Sequence, residues 1–274
     1  MTTALKYQAV FFDLYGTLVD IHTDEQGEGP WTALRCALYR EGADFATNEQ
    51  LRAQFTRERA KANAMRDQRE WFEPDLLPAY RGLFDACWID GTPEQARAAA
   101  WTFRRASTTK LRLFPGAIEL LERLHDEGRA VILVSNAQAC YTKPELALLG
   151  LDEMFDDIII SSDEGVRKPS FEIFRRALID ADVEPERALM VGNDENSDIF
   201  GAVACGIDAA YLHTDDNTGG ATAPRAAVSL EGADYEGLLA FIHDADATWD
   251  ASHAPEAAAR ATDGGACGGN ETKD

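Results

Sequence analysis

Polar and charged residues that could carry out a reaction follow several short apolar segments of the chain. In chain order these residues are Asp13, Ser135, Asn136, Lys168, Asn193, Asp194 and Asp198. An acid, a small hydroxyl, a lysine and a pair of acids are the groups that phosphoryl transfer to a carboxylate needs. The residue types therefore indicate a hydrolytic or transfer reaction, provided that the fold brings the segments together.

The apolar segments before these residues have the length and the Val, Ile and Phe content of buried strands. We predict strands over residues 9–14, 130–135, 157–161, 188–192 and 208–213. Helical patterns separate the later strands, and this alternation is typical of parallel βαβ units. The sequence therefore predicts an α/β fold, a Rossmann-like parallel sheet with helices on both faces. Ligands bind beyond the carboxyl ends of such strands, so we expect the polar residues to converge there.

The region between the first two predicted strands has a different pattern. Residues 22–110 carry apolar side chains at spacings of three and four, which predicts an all-helical insert of about four helices. The α/β core would then comprise residues 1–21 and 111–250. Residues 215–227 have a loop composition, a helix is expected after them, and residues 251–274 are expected to form a disordered tail.

The charge balance limits the classes of partner. The chain has 26 Lys and Arg against 48 Asp and Glu, a net charge of −22. Such a surface repels nucleic acids and anionic membranes, so we expect a small-molecule substrate. The N-terminus lacks the pattern of a signal peptide, and no apolar stretch reaches the roughly 18 residues of a membrane span. These features predict a cytoplasmic protein, a monomer or a homodimer.

Four segments of the chain carry a family resemblance. FFDLYGTLVD, ILVSNAQ, RKPSFEIF and MVGNDENSDIFGA resemble the four sequential motifs of the haloacid dehalogenase-like superfamily, and each stands at a predicted strand end. The match extends over nearly the whole chain to about His213. The resemblance implies a hydrolase in which the helical insert is a cap domain over the active site.

The resemblance also implies roles for individual residues. Asp13 would be the nucleophile and form an aspartyl ester, and Lys168 would neutralise the charges of the nucleophile and the phosphoryl group. Substrate contacts are implied for Thr17, Ser135, Asn136 and Lys168. The implied Mg²⁺ ligands are Asp13, the Tyr15 carbonyl, Asn193 or Asp194, and Asp198, oxygen donors of the kind that this cation prefers. A purely structural alternative is that Asn193 and Asp194 cap the start of a helix.

Tyr15 departs from the pattern of most phosphatases in the superfamily, which carry a second Asp at this position as the general acid and base. A phenol with a pKa near about 10 is a poor proton shuttle at neutral pH. Tyrosine here is similar to the 2-haloacid dehalogenases, which need no metal, but the acidic NDEN segment favours a cation. We therefore rank a Mg²⁺-dependent phosphatase first, a dehalogenase second, and a weakly active phosphate-binding module third.

The insert is rich in arginine, although the chain as a whole is acidic. Most of these side chains are expected to be solvated or paired locally. One or two that face the core could bind a substrate carboxylate or a second phosphate, and the sequence does not distinguish which. The candidates are Arg52, Arg57, Arg59, Arg66, Arg69, Arg81, Arg104 and Arg105.

Overall fold

The computed structural model of the protein describes residues 5–64, 70–214 and 220–253. Within these ranges the strands form a six-stranded sheet and a separate two-stranded pair. The strands are β1 (Ala9–Phe12), β2 (Val19–Thr23), β3 (Thr108–Leu113), β4 (Ala130–Ser135), β5 (Asp157–Ile160), β6 (Ala188–Gly192), β7 (Asp208–His213) and β8 (Val228–Glu231). The α-helices are α1 (Glu28–Arg40), α2 (Asn48–Ala64), α3 (Leu77–Asp85), α4 (Pro93–Ser107), α5 (Ala117–Asp126), α6 (Ala139–Leu149), α7 (Ser161–Glu164), α8 (Phe171–Ala181), α9 (Phe200–Ala204) and α10 (Tyr235–His253).

The large sheet is parallel throughout, in the order β5-β4-β1-β6-β7-β8. This confirms the predicted α/β fold. Strand β1 lies between β4 and β6, and all four of its residues are buried. The chain builds β4 and β5 on one side of β1 and then crosses to build β6 to β8 on the other. A crevice for ligands is therefore expected where the direction of winding reverses, at the carboxyl ends of β1 and β6.

Helices cover both faces of the sheet, because consecutive residues of its strands are apolar and point alternately to the two faces. On one face, side chains of β1 such as Val10 and Phe12 pack in a cluster that includes α5 and α10. On the other face, Phe11 packs with residues of α8 and α9. The carboxyl edge of β1 is therefore fixed from both sides.

Helices α1 to α4 form the helical insert. Its apolar side chains make a hydrophobic cluster of their own, in which Trp31, Phe55 and Phe103 contact one another. The Thr92 side chain and Gln95 cap the start of α4 reciprocally. The predicted helical character is correct for the middle of residues 22–110 but wrong at both ends, because β2 and β3 pair antiparallel there and connect the insert to the core.

Two further differences from the sequence prediction lie near the C-terminus. Strand β8 extends the sheet beside β7 and was missed, because its sequence VSLE is short and only partly apolar. Helix α10 continues to His253, so the first residues of the predicted tail, 251–253, are helical. The remainder of that tail, residues 254–274, and the first part of the predicted loop, residues 215–219, lie outside the described residues. Among the described helices, none combines the length and apolar character that crossing a membrane requires.

A buried ion pair attaches α10 to the edge of the sheet opposite the crevice. Arg129, directly before β4, pairs with Asp246 of α10, and the two side chains are 1% and 8% exposed. The Arg129 guanidinium also donates to the Tyr7 carbonyl at 2.5 Å, and the Lys6 amide donates to Asp246 at 2.6 Å. The pair therefore holds the final helix against the first residues of the core.

We expect Arg129→Met to lower the free energy of unfolding by about 3–5 kcal/mol, because the Asp246 carboxylate would stay buried without its cation. The matched control is Arg123→Met, which removes an exposed ion pair with Glu127 and should cost about 1 kcal/mol or less. Urea denaturation followed by circular dichroism measures both. Equal losses in the two variants would contradict a stabilising role for the buried pair.

Candidate active site

Three charged side chains from three different loops meet at the carboxyl edge of the sheet. The Lys168 ammonium lies 2.8 Å from Asp13 Oδ1 and 2.6 Å from Asp198 Oδ1. All three residues are buried, with Lys168 at 2% exposure. Asp13 directly follows β1, and its amide donates to the Val191 carbonyl of β6 at 2.9 Å, so the sheet ladder itself positions the carboxylate.

The charges of this cluster depend on one another. Burial lowers the pKa of Lys168, but the Asp13 and Asp198 carboxylates outweigh that effect, and its pKa is raised overall. Burial raises the pKa of Asp198, and Lys168 opposes that shift. Lys168 is therefore held as a cation between two acids that would otherwise repel each other.

Asp198 is fixed by the loop that follows β6. Its Oδ2 accepts the amides of Asn193 at 3.1 Å and Asp194 at 3.0 Å. A Cβ at Gly192 would overlap Asp198 Oδ2, so glycine is required for the carboxylate to fold back over the strand end. The Asp194 side chain caps the following turn of π-helix, where its Oδ1 accepts the amides of Asn196 and Ser197 at 2.8 Å each. Asp194 is therefore an N-cap, which is the structural role that the sequence analysis gave as the alternative to metal binding. Its role as a metal ligand stays a prediction.

Thr17 and Asn193 lie on the other side of Asp13. The Thr17 hydroxyl is 3.3 Å from Asp13 Oδ2 and 3.4 Å from Asn193 Oδ1, so it lies between two oxygen acceptors. Gly16 has a φ of +80°, and a Cβ there would overlap the Asn193 side-chain amide. The short turn after the nucleophile therefore lets Asn193 approach the backbone beside Asp13.

Ser135 and Asn136, which end β4, have different environments. The Ser135 hydroxyl is fully buried and has no hydrogen-bond partner within the described residues, as expected of a group that donates to a substrate. Asn136 forms two bonds with the backbone of Lys168, its Oδ1 accepting from the amide at 2.8 Å and its Nδ2 donating to the carbonyl at 3.0 Å. Asn136 thus positions the lysine.

The Tyr15 phenol is directed away from Asp13 towards the helical insert. Its hydroxyl hydrogen-bonds to Glu145 and lies 3.0 Å from the Thr142 hydroxyl, both on α6. Arg104 of α4 donates to Glu145 at 2.6 Å and lies 5.7 Å from the centre of the Tyr15 ring. Burial raises the pKa of the Tyr15 phenol well above its ordinary value, and the Glu145 carboxylate raises it further. Tyr15 therefore stays protonated and joins the core to the insert.

Sequence reasoning missed Glu145 and Thr142 and did not separate Arg104 from the other arginines of the insert. Glu145 lies in PELALL, where the pattern of an acid directly after proline is typical of an exposed position near the start of a helix, yet it is 1% exposed. The sequence carried no signal for this site, because the partner that makes burial of Glu145 possible comes from a helix 41 residues earlier.

A cavity of about 530 Å³ lies between the insert and the core, beside the charged cluster. Tyr15 and Asn136 line its core side, and the insert supplies most of its other wall. The volume is in the range of small-molecule sites. The cavity reaches Asn136, which bonds to Lys168, so it lies next to the charged cluster and could hold a compact ligand there.

The residues around Asp13 fit a hard divalent cation in their chemistry. Asp13 Oδ2 and Asn193 Oδ1 share one hydroxyl neighbour, and carboxylate, amide and carbonyl oxygens are the ligands that Mg²⁺ takes. In the described part of the chain no three His, Cys, Asp or Glu side chains are grouped as a metal site, so the donor set would contain two carboxylates together with neutral oxygens.

Comparisons with known proteins agree with this fold and show the family of the chain. The model of the haloacid dehalogenase-like hydrolases matches residues 7–206. A glyceraldehyde 3-phosphate phosphatase of Pyrococcus furiosus is 33% identical over 124 residues, 45% of this chain and 52% of that protein. A phosphoserine phosphatase of Thermus thermophilus is 34% identical over 122 residues, 44% of this chain and 49% of that protein. The chain thus spans about half the length of these curated relatives.

A solved 2-haloacid dehalogenase from Pseudomonas syringae shares the fold, with a TM-score of 0.60 and 22% identity, covering 89% of this chain and 99% of that one.

We expect Tyr15→Phe to lower the free energy of unfolding by about 1–3 kcal/mol, because Glu145 and Thr142 would lose a buried hydrogen-bond partner. Tyr39→Phe is the control, since Tyr39 is 66% exposed and its change should cost about 0.5 kcal/mol or less. Chemical denaturation measures both variants. If Tyr15→Phe were as stable as the native protein, the hydroxyl would not contribute to joining the insert to the core.

Proposed function

Because the chain belongs to the haloacid dehalogenase-like hydrolases, we propose that it is a Mg²⁺-dependent phosphatase that acts on a small phosphorylated metabolite through an aspartyl-phosphate intermediate. The contact of Lys168 with both Asp13 and Asp198 carries the proposal, since a buried carboxylate beside a fixed cation suits attack on an anionic phosphoryl group. The two phosphatase names among the relatives support the same class of reaction.

In the first step an Asp13 carboxylate oxygen attacks phosphorus, and the bond from phosphorus to the substrate oxygen breaks. The leaving oxygen takes a proton as the alcohol departs, and the phosphoryl group remains on Asp13. The Ser135 hydroxyl, buried beside the site, is proposed to donate to a phosphoryl oxygen. Lys168 neutralises charge on the nucleophile and on the transferred group, because Asn136 fixes its backbone and Asp198 holds its ammonium.

The proposed cation would be held by Asp13, Asn193, Asp198 and the Tyr15 carbonyl, with Asp194 as a further candidate. When bound, Mg²⁺ neutralises the negative charge that builds up where the carboxylate and the phosphoryl group approach. Thr17 contributes by keeping Asp13 Oδ2 and Asn193 Oδ1 next to each other.

In the second step water attacks the aspartyl phosphate, releasing phosphate and regenerating Asp13. Tyr15 cannot take the proton from this water at neutral pH, because its pKa is raised and its hydroxyl bonds to Glu145. Loss of a general base typically costs about 10² to 10⁴ in rate. Hydrolysis of the intermediate is therefore proposed as the slow step.

The helical insert is proposed to act as a cap, with the boundaries at residues 22–110 inferred from the sequence. Supporting this, the cavity is lined from both the insert and the core, and Gln138 hydrogen-bonds to the 73–76 segment of the insert. A cap that covers the crevice would keep bulk water from the nucleophile. The net charge of −22 supports a small-molecule substrate rather than a nucleic acid or a membrane surface.

A second candidate is displacement of halide from a 2-haloacid, with Asp13 attacking carbon instead of phosphorus. Tyr15 favours it, because the position two residues after the nucleophile lacks the acid of most phosphatases. The adjacent oxygens of Asp13 and Asn193 favour the phosphatase, since they provide donors for a cation. The metal requirement and the leaving group therefore separate the two reactions.

We expect phosphate release from p-nitrophenyl phosphate and from a panel of phosphorylated metabolites in the presence of Mg²⁺, and its loss with EDTA. Asp13→Asn should reduce kcat at least about 10³-fold, because the nucleophile is removed. The control is Asp126→Asn, an exposed acid at the end of α5, which should behave like the native enzyme. Halide release from 2-chloropropionate that persists in EDTA, without phosphate release, would instead establish the dehalogenase.

We also expect a burst of p-nitrophenol in stopped-flow measurements, close to one equivalent per active site, followed by a slower steady rate. The physical reason is that Tyr15 provides no base for the second step, so the phosphorylated Asp13 accumulates. Acid quenching and mass spectrometry should detect a phosphoryl group on Asp13. A linear time course with no trapped intermediate would mean that another group supplies the base.

A further inference from the structure

The arginines of the insert differ in whether their side chains pair with a neighbouring residue. Arg52 pairs with Glu28, Arg81 pairs with Asp90, and Arg57 donates to the Gln54 side chain. Arg66 and Arg69 lie outside the described residues. These contacts are local and remove most of the described candidates as ligands for a substrate.

Arg104 and Arg59 line the cavity but have opposite environments. Arg104 is buried and donates to Glu145 at 2.6 Å, with Glu25 at 3.5 Å, so two carboxylates already neutralise it. Arg59 on α2 is exposed, and it forms no hydrogen bond or ion pair within the described residues. Of these two side chains, Arg59 is therefore the one that has no hydrogen bond or ion pair with another described residue.

Other polar residues line the cavity next to Arg59. Asn63 follows four residues later on the same face of α2, also lines the cavity, and has no hydrogen-bond partner within the described residues. Glu73 on the same wall is occupied, because it accepts from Gln138 at 2.9 Å and lies 3.8 Å from Arg167. Burial raises the pKa of Glu73, while Arg167, the Gln138 hydrogen bond and Arg59 oppose that shift, so Arg59 acts on this carboxylate through space without pairing with it.

We propose that Arg59 and Asn63 form a subsite for a second anionic group, a carboxylate or a phosphate, on the part of the substrate that leaves. The inference rests on the proposed function, since the core side of the cavity is lined by Tyr15 and Asn136, which are close in sequence or bonded to Asp13 and Lys168, and a phosphoryl group on Asp13 would lie next to that side. A planar guanidinium binds either anion through two parallel hydrogen bonds, and the Asn63 amide can add a third donor. In a chain of net charge −22, a cation that faces a cavity without a hydrogen bond or ion pair to another described residue favours the binding of anions.

Binding is measured first, so that the result does not depend on turnover. Isothermal titration calorimetry with Asp13→Asn should give tighter binding of 3-phosphoglycerate and ribulose 1,5-bisphosphate than of glycerol 3-phosphate, whose remaining groups are neutral. Adding Arg59→Gln should weaken the two doubly anionic ligands roughly tenfold or more and reduce this preference, because hydrogen bonds to a charged group are lost. The two anionic probes distinguish a carboxylate from a second phosphate.

Arg57→Gln in the same background is the matched control, two residues away on α2, and should bind all three ligands like the parent. The subsite is overturned if Arg59→Gln weakens the three ligands equally or not at all, or if no ligand binds. Dependence on Arg59 for the anionic ligands, without any hydrolysis by the native enzyme, would instead refute the proposed phosphatase and leave the subsite standing. With hydrolysis present, Arg59→Gln should raise KM for the anionic substrates more than for glycerol 3-phosphate.

Discussion

The contact of the Lys168 ammonium with the carboxylates of Asp13 and Asp198 is the interaction on which the site depends. Without a cation between them, two buried carboxylates that both contact one ammonium would repel each other. Lysine can fill that place only if its backbone is held, and Asn136 does this with two hydrogen bonds. A nucleophile that is both buried and charged is therefore possible because two other strand ends support it.

The same requirement explains the packing of the loops around Asp13. Asp198 can reach Lys168 because its Oδ2 is satisfied by two amides of its own loop, and because Gly192 leaves room for the carboxylate. Asp194 stabilises the turn that makes this approach possible. The parallel order β4-β1-β6 then places all of these strand ends at one edge of the sheet. The electrostatics of the site thus follow from the topology and from a few local hydrogen bonds.

Much of the fold could be predicted because it depends on local patterns. Buried parallel strands are continuous apolar runs, and the polar residue at each carboxyl end is visible in the sequence. Strand β8 and the β2–β3 pair were not visible, because their residues are only partly buried and their partners are distant in sequence.

Residue types at the site were predictable, but the directions of side chains were not. Asn136 turns to the backbone of Lys168 and Tyr15 turns to Glu145, and both choices depend on contacts made in three dimensions.

The position two residues after the nucleophile shows how one residue can serve stability instead of chemistry. Tyr15 bonds to Glu145, and Glu145 in turn binds Arg104 of the insert, so the side chain at this position contributes to packing and not to proton transfer. Glu25 and Glu145 both pair with Arg104 and neutralise its charge. Arg104 is therefore a poor candidate to bind an anionic ligand. Recognition of an anion by the insert must then come from a cation outside this network. Arg59 is placed to do so, because it lies on the wall of the same cavity and has no hydrogen bond or ion pair with another described residue.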